Sequence, residues 1–203
     1  VVGVTITLRD STGTVVATTV TAADGSYAFA NLPAGAYTVE ETQPAGFVSG
    51  IENADDSQTV TVIAGQASTP VNFGETGGQV SGQVFNDADG DGIRDPNEPG
   101  VAGVTITLTG VDVRGVPVVI VTVTGPNGGY SVPDVPGGTY TLTETQPANW
   151  VDGIDTPGVG GGTQSGSDAI SGIVVPSGGN VGGYTFGETA PGASISGTVW
   201  RDS

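Results

Sequence analysis

Apolar and polar residues alternate along most of the chain. "VTITLRD" from Val4, "TVVATTVT" from Thr14, "GSYAFANL" from Gly25, "AYTVEET" from Ala36 and "QTVTVIAG" from Gln58 keep a period of two. That is the period of a strand with one buried face. Val4, Ile6, Leu8, Tyr37 and Val39 are then predicted to face a core, with Thr5, Thr7 and Thr38 outward. No segment sustains a helical period, and the glycines and prolines fall between the alternating runs, where they make turns. The pattern predicts an all-β protein.

The pattern also repeats. "VVGVTITL" from Val1 returns as "VAGVTITL" from Val101, and "DGSYAFANLPAGAYTVEETQPAGFVSGI" from Asp24 returns as "NGGYSVPDVPGGTYTLTETQPANWVDGI" from Asn127. "VNFGET" ending at Thr76 returns as "YTFGET" ending at Thr189, and "QVSGQVFND" from Gln79 is echoed by "SISGTVWRD" from Ser194. Self-similarity of this kind predicts tandem modules. Residues 78–189 read as one complete module, residues 1–77 as a module without an opening strand and acidic loop, and residues 190–203 as a linker and the opening strand of another. The frame suggests a window on a longer array. About seven short strands per module fit a β-sandwich. The aromatic residues at equivalent places, Tyr27 and Tyr130, Tyr37 and Tyr140, Phe47 and Trp150, Phe73 and Phe186, are expected in the cores.

Composition narrows the chemistry. The chain has no Cys, Met, His or Lys, and its cations are Arg9, Arg94, Arg114 and Arg201. A thiol nucleophile, a His-centred triad, an imidazole or thiolate zinc site and a Schiff-base lysine are all excluded. A glycosidase-like carboxylate pair remains conceivable, but no paired acid stands out, and the chain reads as no enzyme. The net charge of −17 opposes nucleic acid and anionic membranes as partners. No apolar run approaches a membrane span.

The acidity peaks in "FNDADGDGIRDPNEPG", where five carboxylates accompany one cation, Arg94. At about 5 Å in water each like pair repels by roughly 0.8 kcal/mol, so a compact loop calls for a cation at its centre. Asp87, Asp89 and Asp91 occupy the first, third and fifth places of a calcium loop, with Gly92 at the sixth. Ile93 offers a backbone carbonyl at the seventh, Asp95 stands at the ninth and Glu98 at the twelfth. Six to eight hard oxygen donors suit Ca2+ better than Mg2+. The flanks are strand-like, and Pro96 and Pro99 stop any exiting helix. The expectation is a structural ion between strands, against the plainer reading of a solvated acidic turn. Asp202 takes the place of Asp87 in the next copy. Asp152, Asp155 and Asp168, and Asp55 and Asp56, are weaker candidates for further ions and read as surface acids.

The stretches "SGQVFNDADGDGIRDPNEPGVAGVTITL", "NGGYSVPDVPGGTYTLTETQP" and "YTFGE" resemble the calcium-binding B-type repeats of serine-aspartate-repeat bacterial surface proteins, within the wider collagen-adhesin B-domain group. The resemblance implies a Greek-key, prealbumin-like or immunoglobulin-like β-sandwich, calcium that stiffens the module, and an extracellular stalk on the bacterial surface. It also brings an expectation that fails here. Many of the wider group form an internal Lys–Asn bond aided by a Glu in a "YTLTET"-like strand, and no Lys exists to react. Glu41 and Glu144, in that strand, then read as ordinary acids.

Three functions compete. The first is a calcium-rigidified stalk or filament whose partners are neighbouring copies of the module, with Ser194–Ser203 either completing another subunit or marking a cut in a longer chain. The second is an adhesive module that recognises host protein or glycan through loops, with "VDGIDTPGVGGGTQSGSDAIS" as the candidate segment. That segment lacks the aromatic and Arg anchors of a binding hot spot. The third, an enzyme, has the least support.

Overall fold

A computed structural model describes residues 1–50, 55–190, 192 and 196–201. It contains strands and no helix among the described residues. The first repeat supplies β1 (Thr5–Asp10), β2 (Val15–Val20), β3 (Gly35–Glu41), β4 (Val48–Ser49), β5 (Ser57–Val62) and β6 (Glu75–Thr76). These form a four-stranded sheet in the order β2-β1-β3-β5 and a small β4-β6 pair.

The second repeat supplies β7 (Gly78–Asn86), β8 (Thr105–Asp112), β9 (Pro117–Val123), β10 (Gly129–Val135) and β11 (Gly138–Glu144). It continues with β12 (Val151–Asp152), β13 (Thr163–Gln164), β14 (Ala169–Val175) and β15 (Asn180–Thr189). They form two sheets, β10-β7-β15-β12 and β13-β14-β11-β8-β9. All pairings are antiparallel except β7 with β15, which run parallel from Gln79 opposite Asn180 to Asn86 opposite Glu188.

Inward alternation explains both cores. Val4, Ile6, Leu8, Tyr37 and Val39 are buried in the first repeat, as their period predicts. Between the sheets of the second repeat lie Val80, Val84, Ile106, Leu108, Tyr140, Leu142, Tyr184 and Phe186. Burying a large apolar side chain contributes roughly 1.5–3 kcal/mol, and the two repeats gain it unequally. Phe186 is fully buried, whereas its counterpart Phe73, with Tyr27 and Phe29, only packs partly buried against the core. The reason is topological. In the second repeat β7 lies between β10 and β15, while in the first no strand separates residues 26–32 from residues 70–74, and neither segment is assigned as a strand. An open groove of about 540 Å³ remains there, lined by Tyr27, Phe29, Leu32, Val60, Val71 and Phe73.

Two expectations are corrected. Phe47 is not a core residue: it is half-buried, and the Arg114 guanidinium lies over its ring at 5.4 Å from the centroid, a cation–π contact between the repeats. Residues 196–201 form no strand, and Val199 and Trp200 are 100% and 78% exposed. The remainder of that segment, with Asp202, lies outside the described residues.

The repeats meet closely. Only Gly77 separates β6 from β7, Gly137 donates its N–H to the Gly46 carbonyl at 2.7 Å, and Val48 sits where a Cβ on Gly178 would fall, 2.5 Å from its Cγ2.

Candidate metal centre

The acidic loop leaves the end of β7 and returns at Gly100, which bridges to Phe85. Its first and twelfth residues close it. The buried Asp87 accepts N–H groups of Gly90 (3.0 Å) and Asp91 (3.1 Å) on Oδ1 and of Gly92 (3.1 Å) on Oδ2. The buried Glu98 accepts Ala88 N–H (2.7 Å) and Asp95 N–H (2.9 Å) on its two oxygens. Gly92 has φ +74, and a Cβ there would fall 2.6 Å from the Ile154 side chain, so the sixth position needs glycine both for its turn and for its neighbour.

Carboxylate oxygens of Asp87, Asp89 and Glu98 lie within 4.8 Å of one another. The other expected ligands stand apart from that triplet. Asp91 turns Oδ1 to its own Ile93 N–H at 2.8 Å, and Asp91, Ile93 and Asp95 are exposed. Arg94 does not neutralise the group, because its Nε donates to the Glu98 carbonyl (3.1 Å) and a terminal nitrogen to Gln83 (2.8 Å). Desolvation, then the charge of Asp91, raises the pKa of Asp89 above the usual carboxylate value. All these donors are hard oxygens, the set a calcium ion takes. The loop is fastened to the body by Asp87 N–H to the Glu188 carbonyl (2.7 Å), Asn86 N–H to Pro99 (2.9 Å) and the Thr156 hydroxyl to the Gly92 carbonyl (3.1 Å).

A second acidic group went unrecognised in the sequence. Glu144 and Glu188 are 3% and 0% exposed, so neither Glu144 nor its neighbours are the surface acids expected. Asp155 is 4% exposed, and Asp168 is half-buried. One carboxylate oxygen each of Glu144, Asp168 and Glu188 lies within 4.8 Å of the others. β11, the residue before β14, and β15 carry them, and the Glu144 N–H donates to the Asp168 carbonyl at 2.8 Å. Burial, then the charges of Glu188, Asp155 and Asp168, pushes Glu144 up to about 9. Glu188 and Asp155 rise to about 7, burial again being the chief cause.

The first repeat holds the same arrangement in a more open form. Glu41, Asp56 and Glu75 converge within 4.8 Å, all half-buried, and the Glu41 N–H donates to the Asp56 carbonyl at 2.8 Å. Gln43 donates to Glu75 as Gln146 does to Glu188. Glu41 rises to about 7 through burial, then through Glu75 and Asp56. Asp55 remains exposed, as expected. The Gly-rich segment after β12 is less loop-like than the sequence suggests. Thr156 bridges to Thr185, and Val159 N–H bonds the Gly182 carbonyl at 2.9 Å.

Comparison with known proteins agrees with this anatomy. The family model of the SdrD B-like domain matches residues 1–74 and 78–180. Serine-aspartate repeat-containing protein F of Staphylococcus epidermidis is 34% identical over 156 residues, covering 71% of this chain and 9% of the relative. Serine-aspartate repeat-containing protein D of Staphylococcus aureus is 34% identical over 178 residues, covering 82% and 13%. The chain thus spans about a tenth of the length of these relatives. Among solved structures, the Bacillus anthracis TIE protein is similar with a TM-score of 0.45 and 18% identity over 93% of this chain and 31% of that one. A minor pilin of Streptococcus agalactiae gives 0.39 and 11% over 98% and 87%. With its two matched copies, its β-sheets and its acidic loop, the chain belongs to the SdrD B-like domain family, a family of structural modules rather than enzymes.

Proposed function

We propose that this chain is a segment of an extracellular stalk on a bacterial surface, in which calcium at Asp87–Glu98 stiffens the tandem modules. The observation that carries the reading is the convergence of Asp87, Asp89 and Glu98 in a loop whose only cation is turned elsewhere. Asp91, the Ile93 carbonyl and Asp95 complete the ligand set when the exposed side of the loop closes on the ion. Because the loop is bonded to β15 through Asp87 and Glu188, the ion ties the beginning of the module to its end. Limited proteolysis tests this. Calcium removal is expected to open cutting sites between Asp87 and Glu98 and to lower the melting temperature by several degrees, about 1–2 kcal/mol for a module of this size; identical digestion patterns with calcium and with chelator overturn the reading.

The open groove of the first repeat favours a second element of the same function. A strand of the type "SGQVF" or "SGTVW" matches it, because Phe85 fills the corresponding place in the second repeat and is fully buried there. The exposed Val199 and Trp200 supply such a strand to the first repeat of a neighbouring copy, by main-chain pairing with alternating side-chain pockets. Sedimentation of the 203-residue chain is expected to show concentration-dependent association that Trp200→Asp abolishes; a monomer at all concentrations excludes strand donation.

A further inference from the structure

The interior carboxylates of the second repeat make no contribution to the loop, and six of their oxygens have no hydrogen-bond partner despite being buried: both of Glu144, Oε1 of Glu188, Oδ1 of Asp152, Oδ2 of Asp155 and Oδ1 of Asp168. Buried polar atoms are nearly always satisfied, and buried charge is retained only when it is paired or holds a metal. No cation of the chain serves these groups. The ion pairs among the described residues are Arg9–Glu40 and Arg114–Asp112, both elsewhere, and Arg94 is engaged by Gln83 and Glu98.

We propose that Glu144, Asp168 and Glu188, with Asp152 and Asp155 beside them, form a second divalent-cation site inside the module, and that calcium is the ion it takes. The donors are all carboxylate oxygens, and six orphaned ones match the lower end of calcium's six to eight ligands. The surroundings hold them ready. Gln146 donates to Oε2 of Glu188 and leaves Oε1 free, as a supporting partner of a metal ligand does. Asp168 sits at φ 58, a left-handed turn held by the Glu144 N–H on its carbonyl. The same residue types at the same places in the first repeat, Glu41, Gln43, Asp56 and Glu75, show the arrangement to be a built feature of the module and not an accident of one copy. The ion joins β11, β14 and β15 across the two sheets, and the bond from Asp87 to the Glu188 carbonyl places it one residue contact from the loop.

The choice of calcium rests on the stalk reading above, but the site is tested separately from the loop. Equilibrium dialysis of the whole chain with radiolabelled calcium at neutral pH counts bound ions in the natural protein, in Asp87→Asn/Asp89→Asn/Glu98→Gln, and in Glu144→Gln/Glu188→Gln. Each variant is expected to lose one ion relative to the natural chain, and the combined variant two. The Gln pair keeps the side-chain volume and removes the repulsion, so in chelator it is expected to melt at or above the natural chain, which shows that it folds. If the Gln pair binds as many ions as the natural chain, the carboxyls hold protons instead of a metal and the interior site is overturned. If only the loop variant keeps its full count, the loop reading fails and the interior site stands.

Discussion

Gly128→Ala is expected to cost the second repeat more than about 4 kcal/mol, a size reserved for severe steric or backbone defects, whereas the equivalent Gly25→Ala costs the first repeat about 1–2 kcal/mol, the usual penalty for a left-handed L-residue. Both glycines have positive φ, +75 and +81. Their neighbours differ. A Cβ on Gly128 would stand 2.0 Å from the Val84 carbonyl oxygen, 2.7 Å from Gly100 Cα and 2.8 Å from Val101 N, all backbone atoms that cannot swing aside. This is where β7, the return of the acidic loop and the turn before β10 cross, tied by Val84 N–H to the Gly128 carbonyl and Val101 N–H to Val84. At Gly25 the nearest atom is Val1 N at 3.4 Å, ordinary contact. Urea unfolding of the two variants, followed by far-ultraviolet circular dichroism, checks the pair; equal losses would show that the crossing is not the tight point described.

Without calcium, stability is expected to fall as pH rises from about 5 to 9. Glu144 titrates near 4.5 in the unfolded chain and at about 9 when folded, so the folded state holds more protons across that interval. Its stabilising proton is fully present below the unfolded value and is lost as pH climbs through the folded one. Glu188, Asp155 and Glu41, raised to about 7, act in the same direction and lose their contribution earlier. A tenfold difference in proton affinity between the folded and unfolded chain corresponds to about 1.4 kcal/mol, so a drop in melting temperature of at least about 10 °C is expected over the range. Thermal melts in chelator at several pH values test this. Glu144→Gln/Glu188→Gln should flatten most of the slope, and a slope that survives in this variant contradicts the assignment.

The fold was readable because strand period and turn residues are local signals. Val4, Ile6 and Leu8 declare their side of the sheet within five residues. The acidic loop was readable for the same reason, its ligands lying within one twelve-residue stretch. The interior site was not, since Glu144, Asp168 and Glu188 come from separate strands or strand edges that only the sandwich brings together. A signal was nevertheless available. Glu144 follows Tyr140 and Leu142, and Glu188 follows Tyr184 and Phe186, at the same inward alternation. Continuing that period by one step would have put both acids on the core face, where a carboxylate demands a partner. The Phe47–Arg114 contact had no such signal, because Phe47 lies after the last inward position of β3 and its partner belongs to the other repeat.

The parallel pairing of β7 with β15 has a mechanical outcome. These are the first and last strands of the second repeat, and they lie side by side in the same direction over seven matched positions. Tension entering at Gly78 and leaving at Thr189 pulls the two strands past each other, so their slanted bonds are strained together in shear and must rupture collectively, where an antiparallel hairpin pulled from its open end would unzip one rung at a time.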